Sequence, residues 1–397
     1  MGFEGVRAER PAEQGVPEGV VDELCEELFA GFRRRDQRLR GEQYLRGLLT
    51  ARGRKSARNI AASAGDGASE QSLHHFVSVS PWDWTQVRAA LARCVERELG
   101  PRCWVVRSVV IPKAGRHSVG VARRFVPSAG HLVNSQEAYG VWAAGDGWST
   151  PVNWRLRLAG RRVGGLPRGV TGAAAPECAA GAVREAGEWT DTPRRPVVAD
   201  LPDLEPSALV RALRGARLPF VVAVPDAVAV AAVDPALGRG GAGPLPAGRL
   251  LRLAGPLRRP VTWADPVTGR TRAGLVAGVR VALPGAGTAL LLGLWDGSGA
   301  LGGPVRCWLT GVPGRPWGEL LRLALLPGRV AADFAATSVD VGLVDFEGRS
   351  YAGWHRHTTL ASAAQAVRTL AAAGRTAPAP GGGELVSGAP AGGGAGR

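Results

Sequence analysis

The spacing of apolar residues changes period once along the chain, near residue 100. Before that point it is helical. Val20, Val21, Leu24, Leu28 and Phe29 recur at three- and four-residue intervals behind Pro17, and Tyr44, Leu45, Leu48 and Leu49 repeat the pattern after an arginine-rich strip. Residues 56–64 and 69–77 predict two short helices around a Gly65-Asp66-Gly67 turn. Ser80-Pro81-Trp82-Asp83 reads as an N-cap, a proline at the first helical position and an acid in the first turn of a helix that reaches Leu99. Residues 17–100 are therefore expected to form an all-helical module.

From residue 101 β-branched and aromatic runs take over, at 104–111, 117–125, 135–144 and 152–158, divided by Gly and Pro turns. An amphipathic helix over 207–216 leads into the apolar strand 218–224, and helix followed by buried strand marks an α/β domain. Residues 234–305 are rich in Gly, Pro and Arg, with short strands expected at 248–253, 274–282 and 288–295, and read as an inserted β subdomain. A strand at 305–309 and helices at 316–325, 329–339 and 357–373 complete the pattern. The organisation expected is a flexible segment at 1–16, the helical module at 17–100, an α/β domain split into 101–233 and 306–374 around the insertion, and a disordered Gly/Pro/Ala tail at 375–397.

Charge adds a partner to this picture. The 397 residues carry 49 Lys+Arg against 34 Asp+Glu, a formal net charge of +15. Lys55 and Lys113 are the only lysines, so biased coding explains part of the arginine content, but coding bias would spread it evenly. Instead, ten cations meet two acids over residues 33–58, and six cations meet none over 102–124. That concentration favours a polyanion, and the candidate contacts are Arg33, Arg34, Arg35, Arg38, Arg40, Arg46, Arg54, Lys55, Lys113, Arg116, Arg123 and Arg124. The five cysteines, Cys25, Cys94, Cys103, Cys178 and Cys307, lack disulfide or zinc spacing, which suits a reducing interior. The first residues are charged, and the most apolar stretch, 218–233, is interrupted by Pro219, Pro225 and Asp226, so neither a secretory leader nor a membrane span is expected and the chain reads as cytoplasmic.

Few residues suggest chemistry on their own. Gly238-Arg239-Gly240-Gly241-Ala242-Gly243 has the letters of a dinucleotide loop, but Pro244 stands where its helix would begin, and the reading is rejected. Ser108 and Ser118 lack a hydrolase elbow. His355 and His357 are read as polar surface or helix-start residues, and His74 and His75, on the basic module, as phosphate contacts or simply exposed. Asp226 stands out because it ends the most apolar strand, where open α/β sheets place their chemistry.

Several segments together resemble the insertion-sequence 701 family of DDE transposases, over roughly residues 25–372. They are FRRRDQRLRGEQYLRGLL (32–49), LHHFVSVSPWDW (73–84), IPKAGRHSVGVARRF (111–125), VNWRLRL (152–158), LPFVVAVPDA (218–227) and DFEGRSYAGWHRHTTL (345–360), in matching order and spacing. The resemblance implies an RNase H-like mixed sheet with flanking helices, an inserted β subdomain, a helical DNA-binding N-terminus, and three carboxylates holding two Mg²⁺ for DNA cleavage and strand transfer. This chain departs from that pattern. Where the family has Asp-Asp-Thr-Gly-Phe-Pro-Lys it has Arg107-Ser108-Val109-Val110-Ile111-Pro112-Lys113, so an acid at position 107 or 108 is lost. The glutamate of the family's Ile-Glu-x-Asp-Tyr helix falls on Ala331, and Asp333, about 200° further around that helix, is expected to face elsewhere. Asp226 is left as the one acid of the triad and the metal ligand, if there is one.

The resulting reading is a transposase-derived protein that binds double-stranded DNA, at element ends or a derived site, without cutting or joining it, and that needs no cofactor. It would lie with the nucleoid in the cytoplasm, and a homodimer is compatible with it. Two alternatives stand beside it. One is an active Mg²⁺-dependent transposase that uses Asp226 and acids not identified in the sequence, and the other is a relic that binds no DNA.

Overall fold

A computed structural model describes residues 16–126, 130–158, 172–191, 194–234, 243–296, 304, 306–312 and 314–376. The N-terminal segment 1–15, the tail beyond 376 and most of the rejected glycine loop at 238–243 lie outside the described residues.

The helical period before residue 100 produces five helices, α1 (Glu18–Phe29), α2 (Arg35–Thr50), α3 (Ala57–Ser63), α4 (Glu70–Ser78) and α5 (Trp84–Leu99). Their buried faces are the predicted apolar stripes, among them Leu24, Leu28, Leu45, Leu48, Leu73 and Leu91. Hydroxyl caps fix two of the starts: Asn59 N–H donates to Ser56 Oγ, and Ser69 and Ser72 form a reciprocal capping box. The start of α5 differs from expectation. Asp83, rather than Ser80, is the N-cap and accepts from Thr85 N–H at 2.8 Å, while the Trp82 indole turns back to donate to the Phe76 carbonyl.

Next come β1 (Cys103–Pro112), β2 (Ala122–Val126), β3 (His131–Gly145) and β4 (Trp148–Arg157), then α6 (Ala175–Glu188), β5 (Val197–Ala199), α7 (Pro206–Gly215) and β6 (Phe220–Val224). The β1–β3 and β3–β4 pairs are antiparallel, and β5 runs parallel to both β1 and β6. The chain then adds β7 (Ala229–Ala232), β8 (Leu245–Pro246), α8 (Ala247–Leu253), β9 (Arg259–Ala264), β10 (Thr271–Leu283), β11 (Gly287–Trp295) and β12 (Arg306–Thr310). The strands of the segment 234–305 continue the main sheet through β12, which pairs antiparallel with β6 on one side and with β11 on the other. One mixed sheet of 12 strands results among the described residues, in the order β2-β3-β1-β5-β6-β12-β11-β10-β7-β8, with β4 also on β3 and β9 on β10. This is the mixed α/β, RNase H-like architecture that the resemblance implies.

Several predicted elements change type or extent: the strand expected at 117–125 is extended only over Ala122–Val126, and the helix expected at 357–373 already begins at Tyr351. Residues 248–253 are helical rather than extended, since Ala247, Leu250 and Leu251 are buried together at helical spacing while Leu253 stays exposed. The two helices expected on either side of Pro327 are one helix, α9 (Trp317–Asp333), followed by a π-helical turn at Phe334–Ser338. Pro327 offers no N–H to the preceding turn, yet Leu320, Leu321, Leu323, Ala324, Leu326 and Val330 hold the helix against the sheet. Last comes α10 (Tyr351–Thr376), which packs against β4 on one side and α2, α4 and α5 on the other. Among the described residues no helix is long and apolar enough to cross a membrane.

Candidate active-site cleft

Opposite partners in antiparallel strands share a sheet face. Arg107 is paired with Gly140 and Gly140 with Trp154, so Arg107 lies on the face covered by α9 and α10, where Trp142 meets Phe334 and Trp154 donates to Ser362. Ser108 points to the other face. Its partner Tyr139 sits opposite Arg155, which is ion-paired with Glu185 of α6. Position 107, not 108, therefore faces the helix that carries Ala331.

Between that helix and the strand ends lies a cleft of about 500 Å³. Its charged walls come from four neighbouring strands: Arg107 within β1, Asp200 directly after β5, Asp226 after β6, and Arg306 at the start of the antiparallel β12. Pro327 and Ala331 of α9 form its roof. The fold thus brings Arg107, Asp226 and Ala331 together although they are far apart in sequence. It also adds Asp200, so Asp226 is not the cleft's one acid, and Asp200 is the carboxylate whose field reaches Arg107, whereas that of Asp226 reaches Cys307.

Arg107 is half-buried. Its guanidinium carbon lies 4.7 Å from the Phe334 ring centroid, and its Nε has no hydrogen-bond partner among the described residues. Burial lowers its pKa from the ordinary arginine value, and the Asp200 carboxylate opposes that shift. Asp333 is held away from the cleft: its carboxylate accepts from Ser149 Oγ of β4 at 2.7 Å and from Arg329 of its own helix. A glycine cradle also shapes the wall, since a Cβ on Gly248 would come within 2.8 Å of the Asp226 Cβ.

These residues do not fit a pair of divalent metals. Among the described residues no group of three or more His, Cys, Asp or Glu side chains is placed to hold a metal ion. The Arg107 guanidinium lines the same cleft and would repel a dication there, opposing what Asp200 and Asp226 would supply.

The basic strip is thinner in the folded chain than in the sequence. Arg33, Arg35, Arg116 and Arg123 are exposed and have no ion-pair or hydrogen-bond partner among the described residues, and Arg52 and Arg58 share that condition. The other candidates have partners within the chain. Arg34 pairs with Asp36, Arg38 donates to the Phe32 carbonyl at 2.8 Å, Arg40 to Gln43 and the Gly67 carbonyl, and Arg54 pairs with Glu347 at 3.3 Å. Arg46 gathers Glu18, Asp22 and Glu42. Three more face inward: Lys55 is buried against Ala51, Lys113 Nζ donates to the Phe346 carbonyl at 2.6 Å, and Arg124 pairs with Glu137 at 2.6 Å.

His355 and His357 correct their sequence reading, for both are buried. His355 stacks on Trp84 at 5.1 Å and receives Arg88 Nη2 at Nδ1, while the same buried guanidinium donates to Thr359, Asn153 and the carbonyl of Trp154. This polar group joins α5, β4 and α10 away from the cleft. His74 and His75 are exposed, as expected.

Sequence reasoning missed Asp200, Arg306 and Phe334. Asp200 follows only three strand residues, Val197-Val198-Ala199, too short a run for periodicity to register; the Pro196 before it and the acid after it were the available signals. The five cysteines are free and buried.

Comparison with known proteins gives one family: residues 27–280 match the family described as DDE superfamily endonuclease. No curated protein matches the chain.

Proposed function

Starting from the membership of this chain in the DDE superfamily endonucleases, we propose that it is a transposase-derived protein, close to the insertion-sequence 701 type, that binds double-stranded DNA without cleaving or joining it. One observation carries the reading: the side chain that enters the cleft from β1 is the guanidinium of Arg107, and the facing helix presents Ala331. DDE chemistry depends on carboxylates that hold a metal pair. A fixed cation and a methyl group remove ligands from that set. The exposed, unpartnered Arg33, Arg35, Arg116 and Arg123 supply phosphate contacts in our reading, and the place of action is the nucleoid. No cofactor is required for binding of this kind, and a homodimer is compatible with it.

Asp200 supports a second reading, an enzyme that still cleaves DNA with a metal held between Asp200 and Asp226. A nicking and strand-transfer assay on terminal-repeat DNA with Mg²⁺ or Mn²⁺ separates the two. No product is expected. Metal-dependent product abolished by Asp200→Ala or Asp226→Ala would establish the second reading instead. A duplex titration at several salt concentrations tests the binding itself, which should show a steep salt slope; a flat one would leave a chain that does not bind DNA.

A further inference from the structure

We propose that the cleft is a metal-independent site for a phosphodiester of the DNA backbone, with the Arg107 guanidinium as its anchor. The inference rests on the reading that the chain binds DNA.

A half-buried guanidinium ordinarily places its five N–H donors on acceptors. Arg107 does not. It makes no hydrogen bond or ion pair among the described residues, although Asp200 is close enough for its charge to be felt. The Phe334 ring lies 4.7 Å from the guanidinium carbon, a cation–π contact that uses no N–H donor, and Arg107 lines the cleft. Arg306, on the far side of the same cleft, is exposed and equally without a partner.

The charges run plus, minus, minus, plus across adjacent strands β1, β5, β6 and β12, in the order Arg107, Asp200, Asp226, Arg306. That order selects among anions. A dianion such as inorganic phosphate would meet the two carboxylates with its full charge. A phosphodiester carries one negative charge, presents two free oxygens to a guanidinium fork, and is flanked by sugar that bears no charge. The cation that the protein itself supplies at position 107 takes the place of a soluble one, so binding at this site should not change when divalent ions are removed.

The test uses the full chain, a fluorescent duplex and fluorescence anisotropy in EDTA and in Mg²⁺, with wild type, Arg107→Gln and Arg107→Lys. Wild type should bind equally in both buffers. Arg107→Gln should weaken binding about tenfold for every duplex alike and lower the salt slope by about one phosphate contact. Arg107→Lys should recover the slope but only part of the affinity, because it restores the charge without the fork. Thermal unfolding of each variant confirms that it is folded. If either variant is unfolded, Arg306→Gln is measured in its place, and it too should lose affinity and slope. A second arm adds inorganic phosphate to wild type: stabilisation lost in Arg107→Gln would assign the site to free phosphate and overturn the phosphodiester reading. DNA binding by folded Arg107→Gln with unchanged affinity and slope would overturn the inference alone, and loss of binding in EDTA would overturn its metal independence. Wild type that fails to bind any duplex would overturn the function from which it starts.

Discussion

The Tyr44 hydroxyl donates to Nδ1 of His357 at 2.8 Å, and Nε2 of the same ring donates to the Gly342 carbonyl at 2.7 Å. A carbonyl can only accept, so the ring's single proton sits on Nε2 and Nδ1 receives the tyrosine. A second proton on Nδ1 would displace that bond in a fully buried place. Burial accordingly pushes His357 down from 6.5 to about 4, and His355 is lowered as well.

The sign of the pH effect follows. Between its unfolded and folded pKa values the unfolded chain binds the extra proton, so the contribution of His357 to stability is full above about pH 7 and is lost progressively from there towards pH 4. For His357 the loss is on the order of 3 kcal/mol. Urea midpoints measured from pH 7.5 to 4 should show it, and His357→Gln should flatten the slope although its stability at pH 7.5 is lower.

Arg88 is 2% exposed, and burial lowers its pKa to about 10. Its guanidinium satisfies Thr359, Thr358, Asn153, His355 and the Trp154 carbonyl. Arg88→Met would leave those groups without their donor, with a destabilisation of about 3 kcal/mol or more by chemical denaturation. Arg88→Lys should recover little, since one ammonium cannot reach all the partners on β4 and α10.

Of the three consecutive arginines at the start of α2, Arg34 is tied to Asp36 while Arg33 and Arg35 are free of partners among the described residues. Arg33→Glu with Arg35→Glu should therefore weaken duplex binding uniformly across sequences and lower the salt slope, and Arg46→Gln should cost stability instead, because Arg46 holds Glu18, Asp22 and Glu42. Anisotropy and thermal unfolding on the same samples distinguish the two outcomes.

Arg107→Asp combined with Ala331→Glu would set two further carboxylates beside Asp200 in the cleft. Calorimetry with Mn²⁺ should then record binding that wild type lacks, and Asp200→Asn in that background should abolish it. No uptake by the double variant would mean that the cleft does not have the shape for a metal.

The N-terminal helices, the long strands and the mixed α/β class were legible from apolar period and β-branched runs, as in Leu24, Leu28, Leu45 and Leu48, whereas the Ala- and Gly-rich α6 was not expected. What periodicity could not supply was short or depended on partners distant in sequence. The three-residue strand β5 falls below any window, and with it went Asp200. The letters of 248–253 suit a strand, and only the joint burial of Ala247, Leu250 and Leu251 against the insertion makes a helix. Positions 107 and 108 could not be told apart in the sequence, and only the β1–β3 register shows that 107 is the one facing α9. Charge counting located a basic strip, but Lys55 and Lys113 are turned inward onto backbone carbonyls and Arg124 is paired with Glu137, contacts that counting cannot see.

The last described helix, α10, packs on α2, α4 and α5, with Tyr44, Arg88 and the Trp82 carbonyl bonded to residues 355–359. During synthesis the first hundred residues emerge long before the segment that completes their core, and they must wait for it through two hundred and fifty more. A copy of the gene interrupted anywhere ahead of residue 351 would therefore yield no free-standing basic fragment, only an unfinished one exposed to proteolysis. Persistence of the basic surface in a cell requires the reading frame to stay open through α10.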